Sequence, residues 1–204
     1  MKPPFQAAVL AGLISLSSIA LATEYNPPEA LVAPSSFKGV HGLAVDKQGR
    51  LLAGSVVGNS IYQVDIDSGE TSTFIGPDQG QADDIAIGPK GEMAWTGFYA
   101  GQLLIRDNDD APIRVIATDL PGMNSLDFEV GSDGWLYGPL WFKGEVVRIN
   151  PADGTVETVA TGFGTPAAAN FDSKGNLYAI DTQNGLLKRI DLSSGETTNV
   201  AQLS

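Results

Sequence analysis

The chain has 204 residues, with 24 Asp and Glu against 12 Lys and Arg, a formal charge of −12, 24 Gly and zero Cys. The missing cysteines exclude a disulfide scaffold, a zinc–thiolate site and a cysteine nucleophile. The acidic balance, uninterrupted by any basic run, argues against nucleic acid and anionic lipid surfaces and leaves cations and neutral small molecules as ligands.

The chain opens on MKPPFQAAVLAGLISLSSIALA, in which Lys2 precedes about fifteen apolar residues and Ala20-Leu21-Ala22 fits a small-x-small cleavage site. This pattern predicts a secretory signal peptide over residues 1–22. It is too short, and lacks the basic flank, for a membrane span. The expected destination is the periplasm or the medium, with no membrane association after cleavage and no disulfide even there.

From residue 39 onward the chain repeats itself. AVDKQGRLLAGS, AIGPKGEMAWTG, EVGSDGWLYGPL and NFDSKGNLYAID align so that Gly49, Gly91, Gly134 and Gly175 superpose, separated by 42, 43 and 41 residues. A second mark keeps the register: Gly69, Gly154 and Gly195 each follow 20 residues behind, with Ala111 standing in for glycine in the second repeat. Within one repeat, HGLAVD, RLLAGSV, SIYQVD and ETSTFI are β-rich runs separated by Gly, Asp and Asn turns. A four-stranded antiparallel meander of about forty residues cannot cover both its faces alone, so copies must stack, and radial stacking gives a β-propeller.

The sequence therefore predicts an all-β domain over 23–204, with blades at about 39–77, 82–120, 123–162 and 165–204. Four repeats are visible; they serve either as a four-bladed ring or as part of a longer propeller. Thr23–Lys38 stands outside the repeat as a lead-in.

The innermost strand of each propeller blade starts at the central channel, so residues eight and seven positions before each marker glycine converge. They are His41, Asp83, Leu126 and Ala167, then Gly42, Asp84, Asp127 and Ala168. Asn124 stands just ahead in the third repeat. Asp83, Asp84, Asn124 and Asp127 offer the oxygen ligands that a hard divalent cation such as calcium requires, although Asp and Asn are equally the residues of tight interblade turns. His41, the single histidine, suits a general base or a metal ligand, or a turn histidine bonded to a backbone carbonyl. No Gly-x-Ser-x-Gly elbow accompanies it. Asp65, Asn150 and Asp191 share one repeat position and read as turn residues, as do Asp181 and Asn184. Trp95, Trp135, Trp141, Phe98, Tyr99 and Phe142 serve either interblade packing or a ligand mouth, with Trp141-Phe142-Lys143-Gly144 as the exposed loop.

The recurring apolar strand, Asp/Gly-Pro/Ser-Lys/Asp-Gly, Leu-Tyr, Val-x-Arg-Ile-Asp/Asn and Asp-x-Gly pattern resembles the SMP-30/gluconolactonase/LRE-like propellers, and more loosely NHL repeats and virginiamycin B lyase. The resemblance implies a six-bladed propeller, of which the four visible repeats would be part, acting as a metal-dependent hydrolase of a lactone or small ester, its cation held by a Glu, an Asn and an Asp at inner-strand starts. On that pattern His41-Gly42-Leu43 stands where the family has Glu-Gly-Pro, Asp83 at an inner-strand start, and Asn124-Ser125-Leu126 at the Asn-Gly-apolar motif. Ala167, after Pro166, stands where an aspartate is expected. The resemblance thus implies Asp83 and Asn124 as metal ligands, to which the residue reading adds the adjacent carboxylate Asp84, and His41 as general base or third ligand; a noncatalytic propeller that binds a small molecule or a protein partner is the alternative.

Overall fold

A computed structural model of the chain describes residues 29–32, 38–131 and 134–203. The proposed signal peptide, and most of the lead-in before the first blade, lie outside these residues. The described strands form four four-stranded antiparallel sheets, each in sequential order, and among the described residues there is no helix. Each sheet is one blade, so the described residues hold four blades of a β-propeller. The first blade comprises β1 (Val40–Val45), β2 (Leu51–Ser55), β3 (Ser60–Val64) and β4 (Thr71–Ile75); the second β5 (Ile85–Ile87), β6 (Met93–Gly97), β7 (Gln102–Arg106) and β8 (Arg114–Ala117). The third comprises β9 (Asp127–Phe128), β10 (Leu136–Leu140), β11 (Glu145–Ile149) and β12 (Val156–Ala160); the fourth β13 (Pro166–Phe171), β14 (Leu177–Asp181), β15 (Leu186–Ile190) and β16 (Thr197–Gln202).

The repeat marks are turn positions that demand a left-handed backbone. Gly49, Gly91, Gly134 and Gly175 have φ of 80°, 96°, 78° and 81°, a region open to glycine without the Cβ clash that penalises other residues. Asp65, Asn150 and Asp191, at the other turn, cap it by accepting backbone N–H groups two or three residues on, which is why short polar side chains recur there.

Alternation along each middle strand decides which neighbour a side chain meets. In β6, Trp95 and Met93 join Leu52, Ile61 and Ile75 of the first blade, whereas Ala94 joins Leu136, Leu140 and Ile149 of the third. In β10, Leu136 faces the second blade and Tyr137 packs toward Ala169, Leu177 and Ala179 of the fourth. Both faces of β6 and β10 are buried, so these strands read as nearly continuous apolar runs. The outer strands β12 and β16 are largely exposed. Three apolar cores thus join the four blades in succession among the described residues. On the far side of the first blade Leu43 and Val45 remain 61% and 63% exposed.

Candidate functional site

The starts of the inner strands surround a pocket of about 590 Å³ that draws residues from all four blades. His41 comes from β1, Asp83 and Asp84 from the segment before β5, Asn124 and Ser125 from the segment before β9, and Ala167 and Asn170 from β13. All four residues predicted for the site, His41, Asp83, Asp84 and Asn124, line this one volume.

His41 Nδ1 stands 2.8 Å from Asp83 Oδ1, with the histidine side chain 58% exposed and the aspartate side chain 7%. Burial raises the pKa of Asp83, and the nearby imidazole opposes that rise. With Nδ1 engaged by the carboxylate, Nε2 is the ring nitrogen left to exchange a proton. The main chain of Asp83 is fixed by its N–H donating to Thr96 O at 2.9 Å. The first blade approaches closely enough to bring the pair together because position 42 has no side chain. A Cβ there would meet Asp84 Cα at 2.6 Å and the Asp83 carbonyl oxygen at 2.7 Å.

Asp84 has a different task from its neighbour. Its Oδ2 accepts the Leu126 N–H at 2.9 Å, tying the second blade to the third, while its own N–H donates to Thr96 Oγ1 at 3.0 Å. Burial pushes its carboxyl up to about 6; the Leu126 and Ile85 N–H groups oppose this, and the charges of Asp83 and Asp127 add to it. Asp127, at the same repeat position one blade on, accepts the Phe171 N–H at 2.9 Å and ties the third blade to the fourth. Ser125 adds a second tie there, its Oγ accepting the Ala169 N–H at 2.8 Å. Sequence reading gave Thr96 no role and named Ser125 only as part of Asn124-Ser125-Leu126, since neither hydroxyl carries a local signal. Their partners lie 44 and 12 residues away.

Asn124 Oδ1 is buried without a hydrogen-bond partner. Even so, the donor set does not fit a preformed cation site. Among the described residues no group of three or more His, Cys, Asp or Glu side chains gathers closely enough to hold a metal ion. One oxygen of Asp83 is committed to His41 and one of Asp84 to Leu126, and the fourth blade contributes Ala167.

The turn residues are confirmed in structural roles. Asp181, fully buried, is held down to about 2: burial opposes its charge, but Asn184, the Gly164 and Thr165 N–H groups and Lys188 outweigh it. Lys188 Nζ lies 3.3 Å from its Oδ2. Trp95 is fully buried, its Nε1–H donating to Gln79 O at 2.8 Å, and Trp135 lies under the Arg148 guanidinium, so both serve packing. Trp141 lines the pocket.

Neither a protein-family model nor a curated protein matches the chain in sequence. Solved structures do match in fold. A streptogramin B lyase superposes with a TM-score of 0.68 at 16% identity over 84% of this chain and 57% of that one. A catalytically inactive histidine-to-alanine variant of virginiamycin B lyase from Staphylococcus aureus, with quinupristin, gives 0.67 at 19% over 82% of this chain and 57% of that one. A protein assigned as a gluconolactonase gives 0.63 at 20% over 82% of this chain and 64% of that one. The chain thus spans a little over half the length of the lyases. These likenesses, all at 16–20% identity, establish the β-propeller fold.

Proposed function

We propose that the chain is an exported propeller hydrolase acting on a lactone or similar small ester, with His41 as general base at the channel mouth. The single observation that carries this reading is the pairing of the only histidine with a buried carboxylate inside a pocket bounded by all four blades. Asp83 holds the ring through Nδ1, leaving Nε2 to accept a proton. In the proposed step Nε2 takes a proton from a water whose oxygen adds to the ester carbonyl. The ester C–O bond then breaks, and the proton passes to the departing alkoxide oxygen. A pocket of about 590 Å³ suits a small-molecule substrate.

The reading is tested by proton release from simple aliphatic lactones and esters. His41→Ala is expected to lower kcat/KM by roughly a hundredfold or more, the usual contribution of a positioned general base. Undiminished turnover in that variant overturns the assignment. The absence of turnover in the unaltered protein would leave the noncatalytic propeller that binds a small molecule or a protein partner, a reading favoured by Ala167 at the fourth inner-strand start. A divalent cation such as calcium at Asp83, Asp84 and Asn124 is a separate proposal: Asn124 Oδ1 is unpartnered, but since the residues as placed form no preformed site, binding requires Asp83 to leave His41 and Asp84 to leave the Leu126 N–H. Export to the periplasm or medium rests on the signal-like residues 1–22, and mass spectrometry of exported protein is expected to find Thr23 first.

A further inference from the structure

The four turns between the second and third strands of the blades occupy residues 56–59, 98–101, 141–144 and 182–185. In repeat register their second positions are Val57, Tyr99, Phe142 and Gln183. The first three are large apolar side chains left 67%, 73% and 68% exposed, and Gln183 is exposed and polar. A position free to be polar in one blade and apolar in three, with nothing among the described residues covering it, is not a packing position. Solvation alone favours the polar choice.

Two of the three apolar positions form one surface. Phe98 meets Tyr99 edge-on at 5.3 Å between ring centroids and meets Phe142 of the next blade at 5.9 Å. Phe142 reaches this place because residue 122 is glycine: a Cβ there would lie 2.7 Å from its ring. Phe98 and Tyr99 line both the pocket that holds His41 and an adjoining hollow of about 450 Å³, which Phe142 and Lys143 also line. The aromatic pair therefore stands between the His41–Asp83 pocket and a second concavity.

We propose that this aromatic rim is a ligand subsite that takes a flat, uncharged apolar ring of the molecule whose polar end reaches His41. The two adjoining volumes are those of a small-molecule site rather than of a protein interface. Tyr99 and Phe142 offer ring edges and faces for stacking. The charge of −12 disfavours an anionic occupant, and the rim carries both signs, Asp119 and Lys143, so it selects no charged one. The inference deepens the hydrolase reading and rests on it for the role of His41 alone; binding at the rim does not require turnover.

The test uses two stable neutral lactams, 5-phenyl-2-pyrrolidinone and 2-pyrrolidinone, whose binding to the full chain is followed by ligand-observed NMR. The phenyl compound is expected to bind at least tenfold more tightly. Combining Tyr99→Ala with Phe142→Ala is expected to remove that preference, whereas Val156→Ala, an exposed apolar position on β12, is expected to keep it. His41→Ala is also expected to keep it. A preference that survives the double substitution, or no preference in the unaltered protein, or no binding of either compound, overturns the subsite. Thermal unfolding of each variant separates loss of the subsite from loss of the fold. If the phenyl preference behaves as stated while no lactone or ester is hydrolysed, the hydrolase reading falls and the subsite stands; if lactones are hydrolysed without any phenyl preference, the subsite falls alone.

Discussion

Replacing Asp84 with asparagine should stabilise the protein at alkaline pH and leave it unchanged in acid. In the folded chain the carboxyl titrates near 6, against an ordinary value of 3.8, chiefly because it is buried. A carboxyl raised in this way binds a proton in the folded state that the unfolded state has already released. Its contribution to stability is therefore complete below about pH 4 and is lost as pH rises through about 6. The separation between 3.8 and about 6 corresponds to about 3 kcal/mol of stability missing at pH 8. Asparagine never ionises, and its Oδ1 can accept the same Leu126 N–H that Asp84 Oδ2 accepts at 2.9 Å. Asp84→Asn should thus exceed the unaltered protein by up to about 3 kcal/mol at pH 8, or roughly 6–12 °C in Tm for a domain of this size, and match it near pH 4. Thermal unfolding followed by circular dichroism from pH 4 to pH 8 measures the difference, in which every other titrating group cancels to first order. Asp84→Ala removes both the charge and the acceptor, and should fall below asparagine at every pH because the Leu126 N–H is left without its partner. A difference between Asp84→Asn and the unaltered protein that does not change with pH would refute the burial argument.

Gly42→Ala forces a Cβ into atoms 2.6 and 2.7 Å away and should destabilise the chain by about 1–3 kcal/mol, read as a lower urea midpoint, while separating His41 from Asp83. Asp181→Ala should cost about 3–5 kcal/mol at pH 7 in urea unfolding, because Lys188 is left buried without its counter-ion. Asp181, held near 2, also contributes stability that is present above about pH 4 and disappears as pH falls toward 2; the acid limb of the unfolding curve should therefore be shallower in Asp181→Asn. Calorimetric titration with calcium should show any binding weakened severely by Asp83→Ala and Asn124→Ala and little by Asp153→Ala, whose carboxylate serves an outer turn; equal losses across the three would refute a localised site.

What the sequence determined by itself was local: the four marker glycines, whose lack of a Cβ permits the left-handed φ these turns require, and the alternation that assigns each strand residue to one face or the other. Those two properties repeat every 41–43 residues and are sufficient for four blades. They also brought His41, Asp83, Asp84 and Asn124 to one end of the propeller, since equivalent positions of stacked copies must converge there. The division of labour among them was not legible. Asp83 and Asp84 are chemically identical neighbours in the chain, yet one carboxylate turns to His41 and the other crosses to the backbone of Leu126, 42 residues on. The exposed apolar positions Val57, Tyr99 and Phe142 can be aligned in sequence, but only stacking shows that they remain uncovered beside the pocket. Which oxygen meets which partner depends on the distance and angle between consecutive blades. That geometry is set by how the apolar cores between them pack, through contacts between residues tens of positions apart, and no local pattern encodes it.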